Sequence, residues 1–536
     1  MMSRRSEVLV ATILIAAPLL LGCNFLSSLG DSDNPAARYG VQRDQALFLA
    51  GGQPLTLDPA RTLSGPADVI GAIFSGLVTL DTNLQVQPDL AAGWQVSPDG
   101  SEYTFYLRPN AVFHDSRPIT AQDVIFSWER ATDPELGSDT AATYLGDIAG
   151  VREKLAGTAE RISGLRLIDD HTLSIRLNGP DLTFLAKLTY PVAFVVDRQN
   201  VNQSDWEYQP NGTGPFRLVV WQDNEIIVLA RNESYYLTPP AVSHLVYLIG
   251  AGLPLSLYET GQIDLTPIGS DTLARAQDPN SPLAAELHTA PTFCTTYVGL
   301  NTHLPPLDNS LVRQALNYAL DKERLVEAIY GGNALVAAGP LPPGMPGYTG
   351  LDGGYSFDPN KARTLLAEAG YADPAALPPL TYTTAGYGQV DALVTAAVTI
   401  WQENLGIQIE VTLLDPYLYY DELYAGRVGH LFDGGWCADY PDPQNFLDVL
   451  YHSDSRQNLG GFSDPSIDRL LEQTRSELDV SRRLARYSQI EQMIVEQAPS
   501  VFVAHGVAAV LVKPYVQNYL LTPIGVAQWQ NVSLER

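Results

Sequence analysis

Cysteine is scarce in this chain: three residues in 536, at positions 23, 294 and 437, with no Cys-x-x-Cys among them. That excludes the paired-thiol redox and zinc motifs. Histidine is sparse as well: the eight are scattered, with no two at metal-ligand spacing. A lone His430 or His452 reads as a surface residue rather than a ligand, so neither metal nor cofactor is expected. Basic residues are outnumbered 32 to 60 by acidic ones, and the net charge of −28 argues against nucleic acid as a partner. Catalytic signatures are missing too. There is no His-Glu-x-x-His helix, no phosphate loop ending in Gly-Lys-Ser/Thr and no Gly-x-Ser-x-Gly elbow. Gly212-Thr213-Gly214-Pro215 lacks the third glycine and the helix of a dinucleotide site. The chain reads as a binder and not as an enzyme. One long apolar run exists, Val8 to Leu21, and at about 14 residues it is too short to span a membrane.

What the amino terminus does contain is a secretory pattern. Arg4 and Arg5 precede the apolar run, which ends in Leu20-Leu21-Gly22-Cys23. This resembles the lipobox of bacterial lipoproteins and implies removal of residues 1–22 and lipidation of Cys23; an ordinary signal peptide with a cysteine near its cleavage site is the alternative. Residues 24–40, with Ser27, Ser28, Gly30, Ser32 and Pro35, read as a flexible tether. The expectation is a chain anchored by lipid on the outer face of the cytoplasmic membrane, or in the periplasm, and otherwise soluble.

The rest of the chain is too long for one core and suits several domains. Its hydrophobic content of 45% and mean hydropathy of −0.03 are those of a globular protein. Residues 103–107 and 173–177 alternate as strands do. Thr120 with Asp123 predicts a capped helix start, and Asp358-Pro359 opens a helix that Gly370 closes. Apolar residues from Leu311 to Ile329 recur at helical spacing and predict one helix, stopped by Gly331-Gly332. The pattern is mixed α/β.

The most informative stretch is Gly435-Trp436-Cys437-Ala438-Asp439-Tyr440. Gly434 and Gly435 predict that a ligand backbone approaches closely, and Pro441 and Pro443 predict an end to the strand and a fixed loop presenting Asp439. A carboxylate partly dried by Trp436 and Tyr440 suits a cation such as a peptide α-amine. Taken alone, an Asp before Tyr-Pro is also ordinary turn chemistry.

This segment resembles the one that holds the peptide amino terminus in the oligopeptide-binding proteins of bacterial ABC importers, in the peptide/nickel class (family 5) of extracytoplasmic solute-binding proteins. Further pieces follow in that family's order. They include Pro54-Leu55-Thr56-Leu57-Asp58-Pro59-Ala60, which looks like its first strand, residues 87–94, Phe113-His114-Asp115, Asn211-Gly212-Thr213-Gly214-Pro215-Phe216, Val312-Arg313-Gln314-Ala315-Leu316, residues 367–371 and Leu511-Val512-Lys513-Pro514.

The resemblance implies a periplasmic-binding-protein-like (type II) α/β fold, with two ligand-clamping lobes, a hinge and an additional third lobe. The expected boundaries are 41–70, 195–290 and 505–536 for lobe I, 71–194 for lobe II and 291–504 for lobe III. It further implies that Asp439 pairs with a peptide α-amine and that backbone near Gly435 and Cys437 pairs with an extended ligand. Lobe I would add the stretch around Gln53-Pro54-Leu55, Trp436 would wall a side-chain pocket, and Cys294 would bridge Cys437. Asp433 stands where relatives carry a carboxylate-binding arginine, so Arg427 is the expected substitute. Gln53 replaces a glutamate, and Ala504-His505-Gly506 replaces aromatic residues, making His505 a candidate pocket residue.

The function implied is a monomeric, lipid-anchored carrier that captures peptides and delivers them to ABC permease subunits. The altered positions leave open a non-peptide cargo (an oligosaccharide, metal chelate or amino compound), and a surface receptor or chaperone without a permease is the remaining alternative.

Overall fold

The computed structural model describes residues 34–62, 67–351 and 354–536, so the apolar run and Cys23 lie outside the described residues. Among the described residues the largest sheet has eleven strands. Its path runs Ile409–Leu414, Leu380–Ala385, Leu431–Cys437, Leu287–Leu300, Ser500–Val512, Leu265–Pro267, Ala46–Gly51, His244–Ile249, Ile226–Arg231 and Phe216–Gln222, with Ala334–Val336 pairing to the side of Ser500–Val512.

Two strands tie the halves of this path together. Leu287–Leu300 and Ser500–Val512 run antiparallel, and both are long enough to serve each half. One end of Ser500–Val512 meets Leu265–Pro267, and the far end of Leu287–Leu300 meets Leu431–Cys437. Register slips between Pro291 and Thr295 mark the passage from one half to the other.

A separate antiparallel sheet of Ala91–Val96, Glu102–Leu107, Thr172–Arg176 and Leu165–Asp169 carries its own core around Phe105, Trp128 and Leu173. Glu102–Leu107 alternates buried and more exposed side chains, as the period-two pattern requires. The helix Ala121–Ala131 starts on the predicted capping box, with Thr120 and Asp123 exchanging side-chain and backbone bonds. The helix Pro359–Glu368 opens on Asp358, whose carboxylate accepts from the amides of Asn360 and Lys361.

Two expectations need correction. The run from Leu311 to Ile329 is two helices, Ser310–Ala319 and Lys322–Tyr330. Asp321 breaks it by acting as a new cap, accepting from the amide of Arg324 at 3.1 Å. Pro54–Ala60 is not a strand: the first strand is Ala46–Gly51, and the segment after it is a loop. That loop is held by side chains instead of a ladder. Glu207 accepts from Thr56 Oγ1 and from the Leu57 amide at 2.5 and 2.7 Å, and Arg130 grips buried Asp58 at 3.0 and 2.5 Å.

Candidate ligand site

The strand Leu431–Cys437 is paired along the whole of one edge but along only part of the other. Its antiparallel partner is Leu287–Leu300, in the register Val298 to Asp433, Thr296 to Gly435 and Cys294 to Cys437. On its other edge, parallel pairing reaches Tyr382 with Leu431 and Thr383 with Phe432, and stops there. From Gly434 to Cys437 that edge carries no strand among the described residues. An unpaired strand edge is a template for an extended guest chain.

Cys294 and Cys437, opposite each other at a Cα separation of 4.0 Å, are joined by a disulfide. The bridge braces the strand at the end nearest Asp439.

Asp439 sits in the loop after the strand, and two neighbours fix that loop. Asn445, itself fully buried, accepts from Trp436 Nε1 at 3.0 Å and from the Asp439 amide at 3.1 Å. Buried Arg483 makes two bonds of 2.7 Å to Asp442. The Asp439 carboxylate faces the four-stranded-sheet region, where the Tyr144 hydroxyl donates to Oδ2 at 2.5 Å. The Tyr144 and Tyr190 rings stack at 3.8 Å, 3° from parallel. Burial pushes the Asp439 carboxyl up to about 6, against the lowering effect of the Tyr144 hydrogen bond. Burial, and then the Asp439 charge, push the Tyr144 phenol far above its ordinary range.

The expected site residues divide into groups. Asp439, Trp436, Gly435 and Cys437 come together on this strand and its loop, with Gly435 exposed and Trp436 half-buried. Gly434 has a different role from the one expected. A Cβ there would lie 2.1 Å from the Tyr297 ring, so its missing side chain makes room for a cross-strand neighbour rather than for a ligand. At Gly435 the nearest atom to such a Cβ is the Thr295 carbonyl at 3.8 Å, an open position.

Tyr440 adjoins the acid from within the core. It is fully buried and packs into the core around Phe105 and Trp128. His505 is 1% exposed within the sheet, its Nδ1 2.9 Å from Thr295 Oγ1, because strands pair with it on both sides. Burial pushes its imidazole down to about 4. Arg427 is exposed, and its guanidinium is held by Glu422 at 2.8 and 2.7 Å. Gln53 is tied to the turn at Asp223 and Asn224, while the Leu55 side chain beside it is 99% exposed.

Tyr144, Tyr190, Asn445 and Arg483 were not foreseen. Only Asn445 lies near Asp439 in sequence, and no spacing rule links the others to it. Among the described residues no group of three or more His, Cys, Asp or Glu is placed to hold a metal ion.

Known proteins resemble this chain over most of its length. The family model for bacterial extracellular solute-binding proteins, family 5 Middle, matches residues 85–458. The periplasmic oligopeptide-binding protein OppA of Escherichia coli (strain K12) is 31% identical over 511 residues, covering 91% of this chain and 92% of that protein. Heme-binding protein A of Haemophilus influenzae is 29% identical over 566 residues, covering 98% and 99%. Among solved structures, the Escherichia coli murein tripeptide binding protein MppA superposes with a TM-score of 0.80 at 27% identity, covering 92% of this chain and 99% of that one.

Proposed function

The chain belongs to family 5 of the bacterial extracellular solute-binding proteins, and from that premise we propose that it captures short peptides outside the cytoplasm for an ABC importer. The observation that carries this reading is the unpaired strand edge from Gly434 to Cys437, ending at the desolvated carboxylate of Asp439. Peptides of any sequence share a backbone and an α-amine. The edge offers ladder partners to the first, and Asp439 with the Tyr144 hydroxyl offers a charge partner to the second. The relatives' names, oligopeptide-binding and murein tripeptide binding, support the same cargo class.

In this reading the segments 41–70, 195–290 and 505–536 form one clamping lobe and 291–504 the other, with 71–194 as the third lobe. The strands Leu287–Leu300 and Ser500–Val512 form the hinge between them, and the ligand bridges the clamp when it closes. The chain acts as a monomer, anchored through lipidated Cys23 and the tether that follows, and hands its ligand to permease subunits. No described helix is long and apolar enough to cross a membrane.

A second reading keeps the carrier and changes the cargo. It is favoured by the likeness to a heme-binding protein over nearly the whole chain and by Asp433 on the strand.

Native mass spectrometry of the protein lacking residues 1–22 tests both. A ladder of masses fitting short peptides, lost in Asp439→Ala, supports the first reading. A single non-peptide mass, retained in Asp439→Ala, supports the second and overturns the first.

A further inference from the structure

Asp433 stands where the strands Leu431–Cys437 and Leu380–Ala385 part. Their parallel ladder holds at Leu431 and Phe432, and the next pair would be Thr384 with Asp433. In its place the Asp433 carboxylate accepts from Thr384 Oγ1 at 2.5 Å and from the Ala385 amide at 3.4 Å. The Tyr419 hydroxyl takes the Asp433 carbonyl at 2.8 Å. No Arg, Lys or His among the described residues pairs with this carboxylate, and the charge it does feel is that of another acid, Asp391. The nearest basic residues in sequence are engaged elsewhere: the His430 ring nitrogens face the Thr381 amide and the Pro305 carbonyl, and Arg427 is held by Glu422. The fork is therefore a half-buried, uncompensated negative end to the open edge.

Asp433 and Asp439 are six residues apart along the chain, which is about 20 Å if extended. A peptide whose amine meets Asp439 and whose backbone lies on the open edge reaches the fork after roughly four to six residues. A carboxylate arriving there meets another carboxylate, whereas a cation meets an acceptor that has no counter-ion.

We infer that Asp433 is a specificity-determining residue that selects peptides presenting a basic side chain at the fork. The inference rests on the peptide reading above and deepens it. Asp433 thus has two duties: it pins the parting strands, and it sets the charge that the far end of the ligand must carry.

The test is calorimetry on the wild-type protein with alanine hexapeptides carrying Lys or Gln at the third, fourth, fifth or sixth position. One position is expected at which Lys binds about tenfold more tightly than Gln, the worth of a charge-assisted bond in a partly dried site. Asp433→Asn, which keeps a partner for Thr384, is expected to erase that preference and to leave the Gln peptide within about twofold. Asp433→Arg is expected to invert it in favour of Glu. If Lys and Gln bind alike at every position while N-acetylation still abolishes binding, the cationic site is overturned and the peptide reading stands. If none of the peptides binds, both are overturned. The wild-type scan decides the matter by itself where a variant fails to fold.

Discussion

The Tyr144 hydroxyl donates to Asp439 Oδ2 at 2.5 Å, joining two parts of the chain that are 295 residues apart in sequence. Against this contact, burial holds the Asp439 carboxyl at about 6, so the candidate amine receptor titrates near the working pH. A peptide α-amine titrates near 8. Affinity for short peptides is expected to rise from pH 4 to pH 7, as Asp439 ionises, and to fall again as the amine loses its proton. Tyr144→Phe removes a bond that favours the ionised form, so the acidic midpoint moves to higher pH. Titration calorimetry across that range measures both, and a flat profile in the wild type would show that Asp439 does not read the amine.

The same group makes the empty protein's stability depend on pH. The folded value, about 6, lies above the ordinary 3.8. A group raised in this way stabilises the fold fully below its unfolded value, and that contribution is lost as pH rises through the folded value. Asp439→Asn is therefore expected to raise the ligand-free apparent Tm at pH 8, with the gain shrinking towards zero below pH 4. It does so while weakening peptide binding. A variant less stable than wild type at pH 8 would mean that the charge is compensated in the empty state.

How much of this was legible beforehand depends on where the determining contacts lie. The α/β alternation, the capped helix starts and the acid of the Gly-Trp-Cys-Ala-Asp segment rest on neighbours within a few residues, so the sequence carries them. The break at Asp321 is local as well, but a continuing apolar period masked a single capping residue. The receptor partners Tyr144 and Arg483 come from segments hundreds and tens of residues away, and no period connects them to Asp439. Tyr440 shows the converse. Its position beside Asp439 suggested a ring drying the acid, and nothing local signals that this ring belongs to the core of a different sheet.

The disulfide between Cys294 and Cys437 closes a loop of 143 residues, for which the chain-entropy model gives about 5 kcal/mol as an upper figure. The two residues already face each other in an antiparallel ladder, so the fold does not need the bridge to find its register. Replacing both with Ser is expected to lower the apparent Tm by several degrees with the fold retained. The larger local effect is faster amide exchange over residues 434–437, the edge on which the ligand would lie. Hydrogen-exchange mass spectrometry reads this directly, and unchanged protection there would show that the ladder alone holds the edge.

Gly434 and Gly435 are adjacent and chemically identical, yet the structure assigns them opposite consequences on substitution. A methyl group at 434 points into the Tyr297 ring at 2.1 Å, far inside contact distance, and that ring is itself buried against Phe502. Overpacking of this kind costs typically 1–3 kcal/mol, so Gly434→Ala is expected to destabilise the protein with or without ligand. A methyl group at 435 meets nothing nearer than 3.8 Å and adds a side chain to an exposed position on the open edge. Gly435→Ala is expected to unfold with the wild type in the absence of ligand and to lose a little peptide affinity, because its methyl stands on the face where a neighbouring guest side chain is seated. Thermal unfolding with and without a short peptide separates the two effects. Should Gly435→Ala bind peptide as tightly as wild type, no guest side chain is seated against position 435, and the missing Cβ there serves no ligand even if Asp439 still holds the amine.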